Sequence, residues 1–343
     1  MLITERKTLT QTKFSQLSEF EIIADYFKDL TGQEGVALGI GDDAAIINLP
    51  LNSKTQLVVA SDTLVEEVHF PGDASAYQVA QRALCVNLSD MAAMGAAPRW
   101  FTLALTLPQG KANEQWLKGF SVGLSEIAIA YNCALIGGDT TAGPLAITIT
   151  MLGEVPLGEG LVRSGAANGD RVYVTGLLGD GAAGLLAARK DNSLKYMNIN
   201  TSERLLLSFY KPHPKINIGL KIRALASACI DISDGLVADL GHICKSSGVD
   251  ASVTTSRLPI HPDLEANFHG QCVDWALFGG DDYQLCFTVP AEHYPTVDDW
   301  ILLGELDATW IGSIIPCSDN SPAVLVDGVK SQERERGFDH FDQ

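Results

Sequence analysis

From Val36 onward the apolar residues recur now with the two-residue period of a strand, now with the 3.6-residue period of a helix. Such a chain must lay helices against sheets, because each strand run needs a cover for its apolar face. Residues 36–40 and 44–49 read as strands flanking an Asp-Asp pair, and 57–61 as a buried strand ending in Asp62. Residues 76–94 form a long helix pattern closed by Gly95 and Pro98. A strand at 100–107, a helix at 113–131, a short strand at 134–136 and a strand at 145–153 follow. Upstream, 18–30 is helical in spacing, with Ser18 and Glu21 placed as a capping box.

Between residues 155 and 169 the chain turns to Gly, Pro and small polar residues, the texture of an inter-domain linker. Beyond it lie a strand at 171–175, a Gly-rich turn, a helix at 182–190 and a polar loop at 191–200. A strand at 230–233, a helix at 236–246, and strands at 283–289, 309–314 and 323–326 complete the pattern. The expectation is two α+β domains, residues 1–155 and 156–343. No short-period repeat interrupts them.

Hydrophobic residues make up 46% and charged residues 19%, a packed chain and not a disordered one. A net charge of −18 argues against nucleic-acid binding, which needs a basic surface. No apolar run approaches the ~18 residues of a membrane span, and the N-terminal stretch has no apolar core or cleavage pattern. The seven cysteines are scattered without a CxxC pair and read as buried thiols of a reducing cytoplasm.

Six short segments carry one or two aspartates beside glycine or a small residue after an apolar run. They are Gly41-Asp42-Asp43-Ala44, Ser61-Asp62-Thr63, Asn87-Leu88-Ser89-Asp90, Gly137-Gly138-Asp139-Thr140, Asp231-Ile232-Ser233-Asp234-Gly235 and Gly279-Gly280-Asp281-Asp282. Taken singly, a Gly-Asp pair is ordinarily a turn, and an Asp before a helix an N-cap. Taken together they suggest a polycarboxylate site. Mg²⁺ takes hard oxygen ligands and is commonly shared between carboxylates and substrate phosphates, and the paired carboxylates repel unless a cation intervenes. The residues alone stop at a Mg²⁺–phosphate site. No GxxxxGK[ST] loop and no VAIK, HRD or DFG set is present. Gly176-Leu177-Leu178-Gly179-Asp180-Gly181 reads as a tight turn feeding a helix N-terminus, a place that can meet an anion.

The strings GIGDDAAII, ASDTLVEEVHF, NLSDMAAMGAAPRW, LIGGDTT, LVRSG, DISDGLVADLGHI, FGGDDYQLCFTV and GFDHF resemble the thiamine-monophosphate kinase family, in that family's order. The wider superfamily is similar to aminoimidazole ribonucleotide synthetase, selenophosphate synthetase and a hydrogenase-maturation protein. The resemblance implies a two-domain aminoimidazole ribonucleotide synthetase-like α+β fold: an N-terminal α/β domain that binds ATP and Mg²⁺ and dimerises through its sheet, and a C-terminal α+β domain that completes the nucleotide and substrate sites. It implies ATP-dependent phosphorylation of thiamine phosphate by direct transfer, in a cytoplasmic homodimer. Metal ligands would be Asp43, Asp62, Asp90, Asp139, Asp231 and Asp234, with main-chain or hydroxyl contacts from Ala60 and Ser61. ATP would meet Gly138, Asp139, Arg163 and Ser233. Thiamine phosphate would meet His69, Asp90, Asp281 and Phe338. No residue is assigned a covalent or acid–base role.

Two positions depart from the family pattern: Asp281 stands where glutamate is frequent, one methylene shorter, and Ala60 removes a hydroxyl. Two rival readings accompany the kinase: a synthetase that phosphorylates another acceptor, and a nucleotide-binding maturation protein without catalysis. Selenophosphate synthetase fits poorly, because the first cysteine is Cys85.

Overall fold

The computed structural model describes residues 36–39, 41–49, 54–194, 197–319 and 321–331. The expected helix at 18–30 and Phe338 lie outside the described residues. Two sheets organise the chain. The first has six strands in the order β1-β2-β3-β6-β4-β5: β1 (Val36–Leu38), β2 (Ala45–Asn48), β3 (Thr55–Val65), β4 (Ala97–Leu107), β5 (Ala134–Ala142) and β6 (Ala146–Pro156). Its pairs are antiparallel except β4–β5. The second has seven strands in the order β13-β12-β9-β11-β7-β10-β8. They are β7 (Arg171–Thr175), β8 (Ala228–Asp231), β9 (Val249–Val253), β10 (Leu285–Val289), β11 (Ala308–Pro316), β12 (Val324–Val326) and β13 (Val329–Lys330).

Along β3 and β6 every second side chain is buried: Val58, Ala60 and Leu64 on one, Ile147, Ile149, Met151 and Val155 on the other. That period puts one face of the sheet under α1 (Ala76–Ala93). Ser75 caps α1 in a capping box with Gln78. The helix is buried almost all round because it lies between the sheets, packed on β3 and β6 of the first and β8 of the second. A second helix, α2 (Glu114–Ala130), covers α1 from outside.

Several aspartates lie inside elements where the pattern put them at the ends. β3 runs on through Asp62 to Val65, because hydroxyls replace apolar packing on its outer face: Ser61 bonds Thr150 at 3.0 Å and Thr63 bonds Thr148 at 2.8 Å. Asp90 sits within α1, and β5 extends through Asp139 along β4. Three further helices, α3 (Asp180–Ala188), α4 (Ile199–Tyr210) and α5 (Ile216–Ile222), follow β7. The polar loop read at 191–200 therefore ends in a helix start, where the Asn198 side chain accepts the Thr201 N–H. After β8 comes α6 (Leu236–Ser247), and α7 (Pro262–Asn267), α8 (Gln271–Phe278) and α9 (Tyr294–Leu302) were not legible in the periodicity. The linker texture is held down as well: Leu161 N–H donates to Met94 C=O at 3.0 Å and Cys229 N–H to Val162 C=O at 3.0 Å. All seven cysteines are free thiols, six of them buried. Among the described residues no helix is long and apolar enough to cross a membrane.

α5 crosses α1 at Gly219, where an added Cβ would stand 2.1 Å from the Ala92 carbonyl oxygen. Gly219→Ala is therefore expected to destabilise the fold by about 1–3 kcal/mol, the cost of overpacking. The urea midpoint checks this; an unchanged midpoint would show that the helices separate without cost.

Candidate active site

Three carboxylates converge where the two sheets meet. Asp43 comes from the turn between β1 and β2, Asp90 from α1 and Asp231 from the end of β8. One oxygen of each lies within 4.8 Å of the others. Asp62 adjoins them: it faces α1 from β3, its charge bears on Asp90, and its N–H donates to Asn87 Oδ1 at 3.2 Å. Ser89 donates its hydroxyl to Asp231 at 2.6 Å. Arg163 pairs with Asp43 at 2.5 Å, and its N–H donates to Asp42 at 2.9 Å.

Burial and mutual repulsion drive these acids toward their protonated forms. Burial raises Asp90 well above the usual range, and Asp62, Asp231 and Asp43 add to it. Asp231 is pushed up to about 8, by burial first and then by Asp43, against the pull of the Ser89 hydroxyl and Arg163. Asp42 is raised to about 6, by burial and then by Asp43. Burial raises Asp43 too, opposed by Arg163. Asp43 Oδ2 is buried with no hydrogen-bond partner among the described residues.

The remaining expected residues fall in distinct places. Ala60 is buried on the α1 face of β3. Ser61 lies on the opposite face, its hydroxyl spent on Thr150 and Ile149 C=O. Gly138 and Asp139 lie on β5, whose nine residues are all exposed. Register places Asp139 in one row with Ala104, Thr148 and Thr63, three strands from β3 and thus roughly 14 Å across the sheet. Within one chain Asp139 does not join the cluster. Gly138 has φ +148, and a Cβ there would meet the Leu103 carbonyl oxygen at 1.9 Å, so close strand approach alone requires glycine.

Ser233 and Asp234 sit in the turn after β8, where Ser233, Asp234 and Gly235 N–H groups all donate to Asp239 Oδ2 at 3.1 Å. His69 lies in the loop after β3, its Nδ1 accepting the Val65 N–H at 2.9 Å, so a neutral ring carries its proton on Nε2. Asp281 pairs with Arg82 at 2.5 Å.

The chain matches the AIR synthase related protein N-terminal domain over residues 41–155 and the corresponding C-terminal domain over residues 167–321. It is 43% identical over 327 residues to thiamine-monophosphate kinase of Escherichia coli K12, covering 94% of this chain and 98% of that protein. The corresponding protein of Bacillus subtilis is 33% identical, over 95% and 100% of the two chains. The chain belongs to the thiamine-monophosphate kinase family. The crystal structure of thiamine-monophosphate kinase from Stenotrophomonas maltophilia K279a is 40% identical with a TM-score of 0.75, over 92% of this chain and 98% of that one. The structure of AaThiL complexed with AMPPCP and TMP is 31% identical with a TM-score of 0.81, over 94% and 97%. A hydrogenase-maturation protein, HypE in complex with HypF, shares the fold at 18% identity and a TM-score of 0.66.

Against that family background, the paired aspartates resolve differently from the sequence reading. Repulsion within each pair is relieved by protein donors before any cation. Asp42 accepts the Asp43 and Arg163 N–H groups. Asp282 turns away from Asp281 and accepts the N–H groups of Gly179 and Gly181 at 2.8 and 2.9 Å. The Gly-rich turn at 176–181 gives its N–H groups at the start of α3 to the protein's own Asp282 carboxyl, which burial pushes up to about 8. Sequence reasoning missed Asp239, Asp282 and Arg82 as builders of the site. Asp282 stood in the Gly-Gly-Asp-Asp segment without a role of its own, and Arg82 left a signal as the one basic residue in the apolar run of α1.

The cluster fits a hard divalent cation: its donors are carboxylate oxygens, they converge, and Asp43 Oδ2 is an orphan. Because the folded pKa values lie above the unfolded value of 3.8, these acids contribute stability below about pH 4 that is lost as pH rises toward 8. Mg²⁺ must displace those protons. Added to chelator-treated protein, it is expected to raise Tm by roughly 3–8 °C at pH 8 and by less at pH 6. Equal shifts at both pH values would contradict cation binding at these acids.

Proposed function

We propose that the carboxylate cluster is the phosphoryl-transfer centre of a thiamine-phosphate kinase. The chain phosphorylates thiamine phosphate to thiamine diphosphate at the expense of ATP. A terminal oxygen of the acceptor phosphate attacks the γ-phosphorus of ATP, the bond from that phosphorus to the β–γ bridging oxygen breaks, and ADP leaves with its electron pair. The acceptor oxygen is already anionic, so no general base is called for. The observation that carries this reading is the convergence of the Asp43, Asp90 and Asp231 carboxylates, one buried and two half-buried, beside Arg163. AaThiL holds AMPPCP, an ATP analogue, together with TMP, which supports the same pair of substrates here.

Asp43, Asp90, Asp231 and Asp62 would hold Mg²⁺, with Asp139 and Asp234 as further expected ligands. Bound there, Mg²⁺ supplies neutralisation of phosphate charge as transfer proceeds. Arg163 would turn its guanidinium from Asp43 toward nucleotide phosphate once a cation balances that carboxylate. Ser233 would present the turn built on Asp239 to the nucleotide. His69 and Asp281 would line the acceptor side.

The proposal includes a homodimer and a cytoplasmic location. Among the described residues β5 is an uncovered sheet edge, with Leu135 and Ile136 at 50% and 58% exposure, and unprotected edges pair with other strands. Gly138 and Asp139 lie on that edge, so their expected roles depend on what pairs there.

Purified protein given Mg–ATP and thiamine phosphate should form thiamine diphosphate and ADP in equal amounts. ATP turnover without thiamine diphosphate would instead favour a synthetase with another acceptor. Asp43→Asn should lower kcat/KM by about 10²-fold or more, the scale of losing a main charge stabiliser. Near wild-type turnover at saturating Mg²⁺ would remove Asp43 from the centre.

A further inference from the structure

Arg82 is the least expected residue of α1. Its guanidinium is charged at every relevant pH, yet the residue is 2% exposed in the middle of an apolar helix. Each of its three nitrogens has its own partner. Nη1 donates to Phe209 C=O at 2.8 Å, Nε to His69 C=O at 3.2 Å, and Nη2 to Asp281 Oδ1 at 2.5 Å. The guanidinium also lies 4.0 Å from the ring centroid of Phe209 and 5.8 Å from that of Tyr283. One side chain thereby ties α1 to the loop after β3, to the end of α4 and to the loop before β10.

The last of those loops is strained. Gly280, Asp281 and Tyr283 have φ of +66, +60 and +48. Two non-glycine residues in the left-handed region so close together persist only where their surroundings fix them. Main-chain bonds supply part of that: Asp281 and Tyr283 N–H groups donate to Ser233 and Ile232 C=O, each at 2.8 Å. Asp282 is locked on the turn before α3. The Asp281 side chain is held by Arg82.

α1 also carries Ser89 and Asp90, eight residues beyond Arg82 at most, which is about 12 Å along a rigid helix. The same helix therefore holds the carboxylate cluster at one point and the His69 and Asp281 loops at another. We propose that Arg82 is a positioning residue for the phosphate acceptor: it fixes the His69 main chain and the Asp281 carboxylate at a set distance from the transfer centre. It acts through those residues, being too buried to reach the acceptor. The inference rests on the kinase reading and on His69 and Asp281 lining the acceptor side.

The test is initial-rate kinetics with each substrate varied in turn, on wild type, Arg82→Lys, Asp281→Asn and the double variant. The wild-type control, by forming product, reports on the kinase reading separately from the variants. Each single variant should raise the KM for thiamine phosphate about tenfold or more while the KM for ATP stays within about threefold. The double variant should be no worse than the worse single, because both changes cut one link. A structural role alone would lower kcat through the folded fraction with both KM values unchanged, and that result overturns the proposal. Additive effects, or a parallel rise in both KM values, overturn it too. Should Arg82→Lys not fold, Asp281→Asn keeps the side-chain shape and decides alone: an unchanged acceptor KM defeats the inference.

Discussion

The repulsion among Asp43, Asp90 and Asp231 is the constraint around which the two sheets are joined. The acids arrive from a turn of the first sheet, from the helix between the sheets and from an edge strand of the second. Bringing three carboxylates within 4.8 Å in a largely buried site is unfavourable by itself. The cost is met elsewhere, by the apolar faces of β3 and β6 under α1 and by the second core around β7, β10 and α6. Local partners keep the acids in place, and only Arg163 on Asp43 brings a balancing charge; Ser89 on Asp231 and Asn87 beside Asp62 are neutral. On the proposed function, what remains unbalanced would favour cations, and a cation-filled cleft is what a triphosphate could enter.

Two other acids do a different task. Asp239 gathers three N–H groups of the turn after β8, and Asp282 gathers two of the turn before α3. Each occupies a cradle of backbone donors that could otherwise face a phosphate. By filling the cradles, they convert two glycine-rich turns into rigid walls. The loops at 232–235 and 279–283 then pack backbone to backbone, which is why a Cβ at Gly280 would stand 2.5 Å from the Ser233 carbonyl oxygen.

Much of this was legible in the sequence, and the gaps have physical reasons. The strands β3 and β6 of the first sheet could be read because one face of each is buried and alternates. The reading stopped short at Asp62 and Asp139 because β3 and β5 continue on polar ladders that carry no apolar signal. The short helices α7 to α9 make few turns and owe their shape to packing, so their periodicity is weak. The aspartates could be found by their setting, but not sorted. Sequence spacing does not separate Asp43, which meets the cluster, from Asp42, which accepts N–H bonds one residue away. Nor does it show that Asp139 lies across the sheet from the others. Arg82 was visible only as a charge out of place, since two of its three partners lie 127 and 199 residues further on.

The most direct measurement is the rate of thiamine diphosphate formation at fixed, saturating Mg–ATP as free Mg²⁺ is raised. If the carboxylate repulsion is relieved by cations beyond those that ATP carries in, the rate keeps climbing well past a one-to-one ratio of Mg²⁺ to ATP. The climb needs more Mg²⁺ at pH 6 than at pH 8, because protons compete for Asp231 and Asp90. A rate already maximal at one-to-one, and indifferent to pH in its Mg²⁺ dependence, would contradict the account.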